Sequence, residues 1–530
     1  MQKSTISRRT FLNRLSVLAG STYPAMVAMG MIPKAPNYPF QLEGRANGTK
    51  VIILGAGLAG MTSAYEMNKL GYDCTILEAR NRPGGRVWTV RGGTEETEEG
   101  GEAQSCKFDE GQYLNAGAAR IPHHHEITMH YCREMGIPLQ IFNNVNENAY
   151  LYSEGKGPLS NKPIRIREVK YDMQGYICEL LNKAINQDAL DMPMTQEDKA
   201  KLIEFLRVEG DLDPDDLLYK GGSRRGYKEA PGAGEQPGVA ADAYELMDLI
   251  KSGFIDPAMS NLPVYTHDLQ MTLFEPVGGM DRLPYALAEK VKQDIQYESI
   301  VQEIRKEENG VRIVYTAGGK TKELKGDYCI CTIPLPVLSN IKNDLSSNVQ
   351  RACDFVDYKK ACKIGLQFKR RFWEEDENIF GGLSRTNTTI TQIMYPNYNY
   401  LGQKGVLKGF YNFSEKAEYT GKLSLKEREK LALEEGSKLH PQYAKEFENS
   451  FSLAWHKIPY SKGGWAEYNE ASRQRFYPDL LKADGNIYLA GEHTTYHTAW
   501  MAGAFESARR TVANIHARVT EGQVQHSIKQ

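Results

Sequence analysis

"KVIILGAGLAGMTSAYEMNKLGYDCTILEARNRPGGR", residues 50–86, carries the pattern that decides the fold. A short apolar run leads into a glycine-rich turn and an amphipathic segment, and a second apolar run ends at Glu78. Gly55 permits a tight turn, Gly57 lets the backbone approach a pyrophosphate, and Gly60 lets a helix pack closely on the strand. Free N–H groups at the start of that helix would face the phosphates, and Glu78 would accept hydrogen bonds from a ribose diol. The stretch predicts a Rossmann-like dinucleotide site.

Four further stretches extend this pattern along the chain. After Arg80, "RPGGRVWT" contains Gly84 and Gly85, which predict a second turn that approaches phosphate, and Arg86, which can neutralise a pyrophosphate. Residues 274–289, "FEPVGGMDRLPYALAE", and 326–338, "GDYCICTIPLPVL", follow in the middle of the chain. Near the end, "GNIYLAGEHTTYHTAWMAGAFESARRTVANI" predicts a strand, the acidic residue Glu492 and a helix that begins near Trp500.

These motifs, in this order, resemble the FAD-dependent amine oxidase family, which includes monoamine, polyamine and L-amino-acid oxidases. The resemblance covers about residues 49–520. It implies FAD as cofactor, with Glu492 at the ribityl chain, the Met501 N–H at the pyrimidine edge of the flavin, and Val301 near the adenine. For Glu492, a helix N-terminal acid stabilised by the dipole is the simpler role, and the two are compatible. The expected cofactor-binding residues are Gly55, Gly57, Gly60, Glu78, Arg80, Gly85, Arg86, Ala119, Arg120, Val301, Glu492 and Met501.

The predicted fold class is α/β, with a discontinuous Rossmann-like FAD-binding domain, an α+β substrate domain and a helical insertion. A length of 530 residues favours two or three domains. The predicted boundaries are 1–33 for a signal peptide, 34–48 for a linker, 49–85, 268–335 and 480–520 for the FAD-binding domain, 86–165 and 336–478 for the substrate domain, 166–262 for the insertion, and 521–530 for a tail.

Arg120, in "YLNAGAARIPHHHEI", bears most directly on the substrate. The small residues Gly117–Ala119 resemble the family segment that passes beside the flavin ring. In L-amino-acid oxidases the matching arginine binds the substrate carboxylate bidentately, which a guanidinium can do and an ammonium cannot. A structural arginine or a helix-capping contact is the alternative. The residue favours amino acids over simple amines.

Trp465 and Trp500 lie where monoamine oxidases place two aromatic side chains around the substrate amine. Such faces exclude water and orient a neutral amine, and they lead us to expect an apolar or aromatic substrate side chain. Ordinary core packing is the alternative for each. Gly464 stands where monoamine oxidases have the cysteine that bonds to the flavin, so noncovalent FAD is expected.

Lys363, in "KKACKIGLQFKRRFW", resembles the family lysine that holds a water against flavin N5. A desolvated lysine there can take part in oxygen chemistry or imine hydrolysis. We therefore expect Lys363, Trp465 and Trp500 to be catalytic, and Arg120, Tyr411, Trp465 and Trp500 to bind substrate. Tyr411 is an equally good candidate for a core strand position.

We expect no metal site. His123, His124 and His125 are adjacent, whereas ligands on one helix face need a spacing of three or four, and no carboxylate or cysteine cluster completes a site in the sequence. A solvated helix start, or a proton-exchanging group near the substrate entrance, is favoured instead. The eight scattered cysteines are expected to be buried thiols. The acidic stretch 91–104 is expected to be a solvated loop.

The N-terminal stretch "STISRRTFLNRLSVLAGS", residues 4–21, resembles a twin-arginine export signal with Arg8 and Arg9 at its centre. It predicts export by the twin-arginine translocation machinery to the periplasm or beyond. A net charge of -2 gives no indication of a nucleic-acid partner. The expected partners are a small amino-acid substrate and O2, and the family often forms homodimers.

The favoured activity is that of an L-amino-acid oxidase, which releases a 2-oxo acid, ammonia and hydrogen peroxide. A monoamine or polyamine oxidase, an amino-acid monooxygenase of the same family, and a flavin-containing interaction module without turnover are the alternatives.

Overall fold

The computed structural model describes residues 40–257, 259 and 266–528, with side chains described up to residue 521. The predicted export signal and the first part of the predicted linker, residues 34–39, lie outside the described residues.

A parallel sheet of five strands forms the Rossmann-like part of the molecule. Lys50–Leu54 lies at its centre, with Ile53 opposite Ile76 on one side and Ile330 on the other. Such central strands are buried on both faces, which explains their nearly continuous apolar sequence. In sheet order the strands are Ile295–Gln296, Asp73–Leu77, Lys50–Leu54, Tyr328–Cys331 and Ile487–Leu489.

A second, mostly antiparallel sheet of seven strands supplies the other wall of the central cavity. Ala361–Phe368 is buried along its whole length and pairs with Gly405–Phe413 and Phe447–Ala454. In sheet order the strands are Pro163–Arg165, Tyr150–Tyr152, Leu383–Thr386, Gln392–Met394, Gly405–Phe413, Ala361–Phe368 and Phe447–Ala454.

Smaller sheets complete the strand set. A four-stranded sheet contains Lys320–Gly326, Gly310–Ala317, Ser299–Glu307 and Lys342–Asn343, and a three-stranded sheet contains Ile121–Pro122, Leu273–Pro276 and Leu139–Phe142. The two-stranded pairs are Tyr227–Glu229 with Val239–Ala240, Asp357–Tyr358 with Ala466–Glu467, Thr89–Val90 with Leu114–Asn115, and Glu95–Thr97 with Ala103–Ser105.

Helices cover the sheets and fill the predicted insertion. The α-helices are Leu58–Lys69, Glu126–Glu134, Ile166–Asn186, Gln196–Gly210, Leu246–Lys251, Arg282–Lys290, Leu335–Leu338, Ser347–Phe355, Phe372–Glu375, Ser414–Lys422, Leu425–Gly436, Tyr443–Glu446, Glu470–Arg475, Tyr477–Leu480 and Met501–Ile528. The 3₁₀ turns are Ser223–Arg225, His267–Leu269, Trp455–Lys457 and Glu492–Thr494. Within residues 40–257 and 266–528, no helix is long and apolar enough to cross a membrane.

The largest apolar core binds the first and last helices to the parallel sheet. It joins side chains of Leu58–Lys69 and Met501–Ile528 to the strand residues Ile53 and Ile330. Two segments that are far apart in the described chain thus build one unit. The predicted α/β class with a discontinuous Rossmann-like domain, an α+β domain and a helical insertion is confirmed. The exact domain boundaries stay predictions.

One local expectation was wrong. The acidic stretch 91–104 forms a hairpin, and Glu98 within it is buried instead of solvated. Its carboxylate accepts two hydrogen bonds from Arg428, at 2.7 and 2.6 Å, and one from the Ala454 N–H at 2.7 Å. The partner is 330 positions away, so the local composition could not reveal it. All eight cysteines are buried and unbridged, as predicted.

Candidate active site

A cavity of about 980 Å³ lies between the parallel sheet and the seven-stranded sheet. Its volume is in the upper range of small-molecule sites. It brings together every predicted site residue except Gly60. The lining includes Gly55, Gly57, Glu78, Arg80, Gly85, Arg86, Ala119, Arg120, Val301, Lys363, Tyr411, Trp465, Glu492, Trp500 and Met501. We call the part around Glu78, Arg86 and Glu492 the cofactor half, and the part around Arg120, Lys363 and Tyr411 the substrate half.

The glycine turn at the start of the cofactor half has the shape that a pyrophosphate needs. Gly55 has a φ of +106°, and a Cβ there would lie 2.7 Å from the Thr332 hydroxyl. A Cβ on Gly57 would meet no atom within 4 Å, so this residue faces open space. The helix Leu58–Lys69 has neither a side-chain cap nor an acid in its first turn. Its first N–H groups are therefore available to an anion.

Gly60 acts in packing. A Cβ on this residue would lie 2.0 Å from the carbonyl oxygen of Gly55. The helix can therefore approach the turn only because position 60 lacks a side chain. Gly60 does not line the cavity, and its close approach to Gly55 is the packing role predicted for it; its place among the cofactor-binding residues stays a prediction.

Glu78 is held at the end of its strand by two backbone donors. Its Oε2 accepts from the Ala56 N–H at 2.7 Å, and its Oε1 accepts from the Arg80 N–H at 2.9 Å. The side chain is buried but lines the cavity. Each carboxylate oxygen has further lone pairs, so the fixed group can also accept hydrogen bonds from a ribose diol. Arg80 itself donates to the Pro459 carbonyl and to the Ser461 hydroxyl.

Arg86 and Glu492 form an ion pair at the far end of the cofactor half. Arg86 Nη1 lies 2.8 Å from Glu492 Oε1 and also donates to the Gly464 carbonyl at 3.0 Å. Burial disfavours the charged guanidinium, but Glu492 outweighs it and raises the pKa of Arg86. Glu492 also accepts from the Ala466 and Ala499 N–H groups. The positive charge of Arg86 is therefore already partly compensated by the protein.

Arg120 behaves differently, because the described residues offer its side chain no acidic partner. Its Nε is buried and has no hydrogen-bond acceptor within the described part of the chain. Its guanidinium lies 5.9 Å from the centre of the Phe142 ring. Burial lowers the pKa of Arg120, while the nearby Tyr411 acts in the opposite direction. A desolvated cation with no anion is costly, which points to a ligand that supplies the negative charge.

Lys363 and Tyr411 adjoin Arg120, as expected. Lys363 Nζ donates to the Gly117 carbonyl at 2.5 Å and lies 4.2 Å from the centre of the Tyr411 ring. Burial, with added repulsion from Lys408 and Arg120, lowers the pKa of Lys363 well below its ordinary value. Gly117 itself approaches the second glycine turn, since a Cβ there would lie 1.8 Å from the Arg86 carbonyl oxygen. This contact links the lysine to the cofactor half.

Trp465 and Trp500 both line the cavity but rest on different supports. Trp465 packs edge-on against Phe413, with ring centres 5.8 Å apart. Trp500 packs edge-on against His125 at 5.1 Å, just before the helix that begins at Met501. Their roles in catalysis and in substrate binding stay predictions, and their placement on the cavity wall is compatible with both.

The histidine stretch is organised in a way that the sequence did not suggest. The helix begins at Glu126, so His124 and His125 precede it and helical spacing does not apply. Their Nε2 atoms lie 2.8 and 3.5 Å from the same oxygen of Asp268. The expectation that no carboxylate joins them was wrong, because Asp268 is 144 positions away from His124. His125 is also buried instead of solvated, and burial lowers its pKa to about 4, so the ring that supports Trp500 is uncharged at neutral pH.

Sequence reasoning missed Arg385, which lines the substrate half of the cavity. Its Nε is buried without an acceptor within the described residues. Burial, together with the charge of Arg120, lowers its pKa to about 10, so it stays cationic at neutral pH. Nothing in "GGLSRTN" marks the residue, because only the packed sheet shows which wall this strand faces.

The model of the flavin containing amine oxidoreductase family matches residues 58–516, and the chain belongs to that family. The putative L-amino-acid oxidase YobN of Bacillus subtilis is 29% identical over 485 residues, which cover 88% of this chain and 94% of that protein. The L-amino-acid oxidase of Gloydius blomhoffii is 26% identical over 486 residues, 90% of each chain.

Two solved structures are similar in fold. Putrescine oxidase bound to putrescine has a TM-score of 0.59 at 18% identity, covering 89% of this chain and 99% of that one. Cyclohexylamine oxidase from Brevibacterium oxydans has a TM-score of 0.58 at 15% identity, covering 89% and 100%. At these identities the similarity concerns the fold alone. Membership of the family implies a flavin cofactor and an amine as the group that is oxidised.

Proposed function

We propose that this chain is an FAD-dependent L-amino-acid oxidase. It would oxidise the bond between the α-carbon and the amine, reduce O2 to H2O2, and release a 2-oxo acid and ammonia after hydrolysis of the imino acid. The observation that carries the proposal is Arg120, a desolvated guanidinium in the substrate half with no carboxylate among the described residues. An α-carboxylate would supply the missing charge in a bidentate pair.

The cofactor half fits FAD. The uncapped start of the helix Leu58–Lys69 and the open side of Gly57 would hold the pyrophosphate, and Glu78 would hold the adenosine ribose. Val301 would contact the adenine, while Glu492 and Met501 would contact the ribityl chain and the pyrimidine edge. When bound, the flavin supplies the acceptor for the hydride of the α-carbon and later passes the electrons to oxygen.

The side chains of the substrate half would orient and desolvate the amino acid. Arg120 and the Tyr411 hydroxyl would bind the carboxylate, and Trp465 and Trp500 would exclude water from the amine. Because its surroundings disfavour the ammonium form, Lys363 can offer a lone pair to a water molecule, or take a proton from it, while its Gly117 contact fixes its position.

FAD would be noncovalent, because Gly464 offers no thiol to the flavin. Acid precipitation of the yellow holoenzyme should therefore leave intact FAD in the supernatant, measured by absorbance and chromatography. Flavin that stays on the denatured chain would contradict this part of the proposal.

A simple amine oxidase is the second candidate, because putrescine oxidase and cyclohexylamine oxidase, which are similar in fold, are named after amines. In that case Arg120 would be structural. An amino-acid monooxygenase shares the arginine but yields an amide and carbon dioxide, so product analysis separates it from the oxidase.

The test is a substrate panel with purified holoenzyme. L-amino acids and the amines that result from removing their carboxylates are compared as matched pairs, and peroxide, ammonia and 2-oxo acid are quantified. We expect the three products in equal amounts from amino acids and little turnover of the amines. Faster oxidation of the amines would refute the proposal, and an amide product would replace it with the monooxygenase.

We also propose export through the twin-arginine pathway, on the strength of the N-terminal sequence alone. Changing Arg8 and Arg9 to lysine should leave active, flavin-loaded enzyme in the cytoplasm, measured by cell fractionation and peroxide assay. Normal export of the double variant would contradict the proposal.

A further inference from the structure

Arg385 is directed toward the cavity by the geometry of its strand. It lies on Leu383–Thr386, opposite Gln392 on one side and Leu151 on the other. Successive side chains of a strand point to opposite faces. Ser384 accordingly points into the core, where its hydroxyl contacts the Tyr150 N–H at 2.8 Å and the Tyr395 hydroxyl at 2.6 Å. Leu383 and Arg385 line the cavity instead.

Arg385 differs from three buried arginines, each of which pairs with a carboxylate. Arg225 lies 2.7 Å from Asp172, Arg371 lies 2.5 Å from Glu374, and Arg428 lies 2.6 Å from Glu98. In these three places a buried guanidinium has a carboxylate of its own. The side chain of Arg385 forms no hydrogen bond and no ion pair with the described residues, and its Nε is buried.

The carboxylates that line the cavity among the described residues do not pair with Arg385. Glu99 is paired with Lys462 at 3.1 Å, Asp268 with His124 at 2.8 Å, and Glu492 with Arg86 at 2.8 Å. Glu78, the fourth acid among the described lining residues, is held by two backbone N–H groups. The substrate half therefore contains two guanidinium groups, those of Arg120 and Arg385, which raise each other's cost of burial and have no anion nearby.

We propose that Arg385 binds a second acidic group of the substrate, so that the enzyme selects L-amino acids with a carboxylate in the side chain, the aspartate and glutamate class. This inference rests on the proposed function. Arg120 would bind the α-carboxylate and Arg385 the side-chain carboxylate. A monocarboxylic amino acid can satisfy only one of the two cations. The charge on this wall outweighs the apolar preference that the two tryptophans suggested.

The experiment compares L-glutamate and L-aspartate with L-glutamine, L-asparagine and L-leucine in the peroxide assay, for the native holoenzyme and for Arg385→Gln. In the native enzyme the acidic substrates should have the highest kcat/KM. The substitution should lower their kcat/KM roughly 10- to 150-fold, mainly through KM, because a hydrogen bond to a charged group is lost. Values for glutamine and leucine should change less than about threefold.

Two further variants make the comparison specific. Arg385→Lys should recover only a small part of the glutamate activity, because it restores the charge without the planar fork. Arg351→Gln, which removes an exposed arginine on the helix Ser347–Phe355, should leave all the ratios unchanged. Binding of glutarate and of butyrate, followed by the flavin spectrum, gives a readout that does not need turnover, and only glutarate binding should weaken in Arg385→Gln.

The outcomes separate this inference from the proposed function. If the native enzyme oxidises neutral amino acids well and acidic ones poorly, Arg385 does not select a second carboxylate, and the oxidase assignment stands. If Arg385→Gln lowers activity on acidic and neutral substrates equally, the inference also falls. If no amino acid is oxidised but amines are, the proposed function itself is wrong.

Discussion

In the cofactor half of the cavity, Arg86 and Glu492 lie 2.8 Å apart, whereas in the substrate half Arg120 and Arg385 contact no carboxylate of the described chain. Both regions are desolvated by the same two sheets. In the first, the folded protein compensates its own charges, so the site is preorganised before a ligand binds. In the second, cations are left for an anionic ligand to neutralise. Perturbed groups of this kind concentrate at functional sites.

The comparison predicts opposite consequences for removing charge from the two halves. In the cofactor half, removing one partner leaves the other buried and unpaired, which is destabilising. In the substrate half, removing an arginine relieves an unfavourable burial and should affect activity instead of folding.

The largest expected effect on stability is that of Glu492→Gln. It leaves the Arg86 guanidinium without a carboxylate, and breaking a buried ion pair should lower the free energy of unfolding by about 3 kcal/mol. This value is at the low end of the usual range because the Arg86 side chain is 22% exposed. Thermal unfolding of the holoenzyme, followed by circular dichroism and flavin release, should show a clear fall in Tm. Glu434→Gln, on an exposed helix face, is the control. An unchanged Tm in Glu492→Gln would show that the ion pair is not needed.

Glu78→Gln should weaken retention of FAD. The amide keeps one acceptor oxygen, but its NH₂ group must then face the N–H of either Ala56 or Arg80. We therefore expect the free energy of FAD binding to become less favourable by about 1–3 kcal/mol. FAD content after dialysis, measured by absorbance, checks the effect. The exposed Glu289→Gln should retain FAD like the native protein. Equal occupancy in Glu78→Gln would place the ribose contact elsewhere.

The loss of stability at low pH tests whether the region beside Arg86 and Glu492 can accept a protonated His493. Burial, with Arg86 and Arg510 nearby, lowers the pKa of His493 to about 3, and its ring nitrogens have no partner within the described residues. The unfolded chain binds this proton below about pH 6.5, so the folded state loses about 1.4 kcal/mol per pH unit as the pH falls from about 6.5 toward 3. Tm measured from pH 7.5 to 5 should fall less steeply in His493→Asn, and an identical slope would exclude this histidine as the cause.

Arg120→Met should have the smallest effect on stability, with a Tm equal to or slightly above that of the native protein. The substitution removes a desolvated cation that has no anionic partner among the described residues and keeps most of the side-chain volume. A fall in Tm comparable to that of Glu492→Gln would show that Arg120 has a structural role, and the contrast between the two halves would be lost.

Much of the cofactor half could be predicted from sequence, because its signals are local. The conformations of Gly55 and Gly57, the strand that ends at Glu78 and the helix between them all lie within one short stretch. The placement of Arg120, Lys363 and Tyr411 in the cavity could be predicted only through resemblance to the family, since those residues are far apart in the chain.

The rest depends on pairings that no local pattern contains. Arg385 occupies a strand whose alternation indicates two faces, but only the packed sheet shows that one face lines the cavity. Asp268 reaches His124 and Glu98 reaches Arg428 across long sequence separations. In each case the site depends on whether a charged side chain has an ion-pair partner, and only the folded chain shows this.

The most direct test of the central claim compares Arg120→Ala with the native enzyme on the best L-amino acid and on the amine that lacks its carboxylate. If Arg120 binds the carboxylate, the substitution should lower kcat/KM for the amino acid by about 2–5 kcal/mol, tens- to thousands-fold, and leave the already slow amine nearly unchanged. Arg120→Lys should recover little, because it lacks the fork. If the native enzyme instead oxidises the amine faster than the amino acid, and Arg120→Ala leaves that rate unchanged, the arginine is structural and the amino-acid oxidase assignment is wrong.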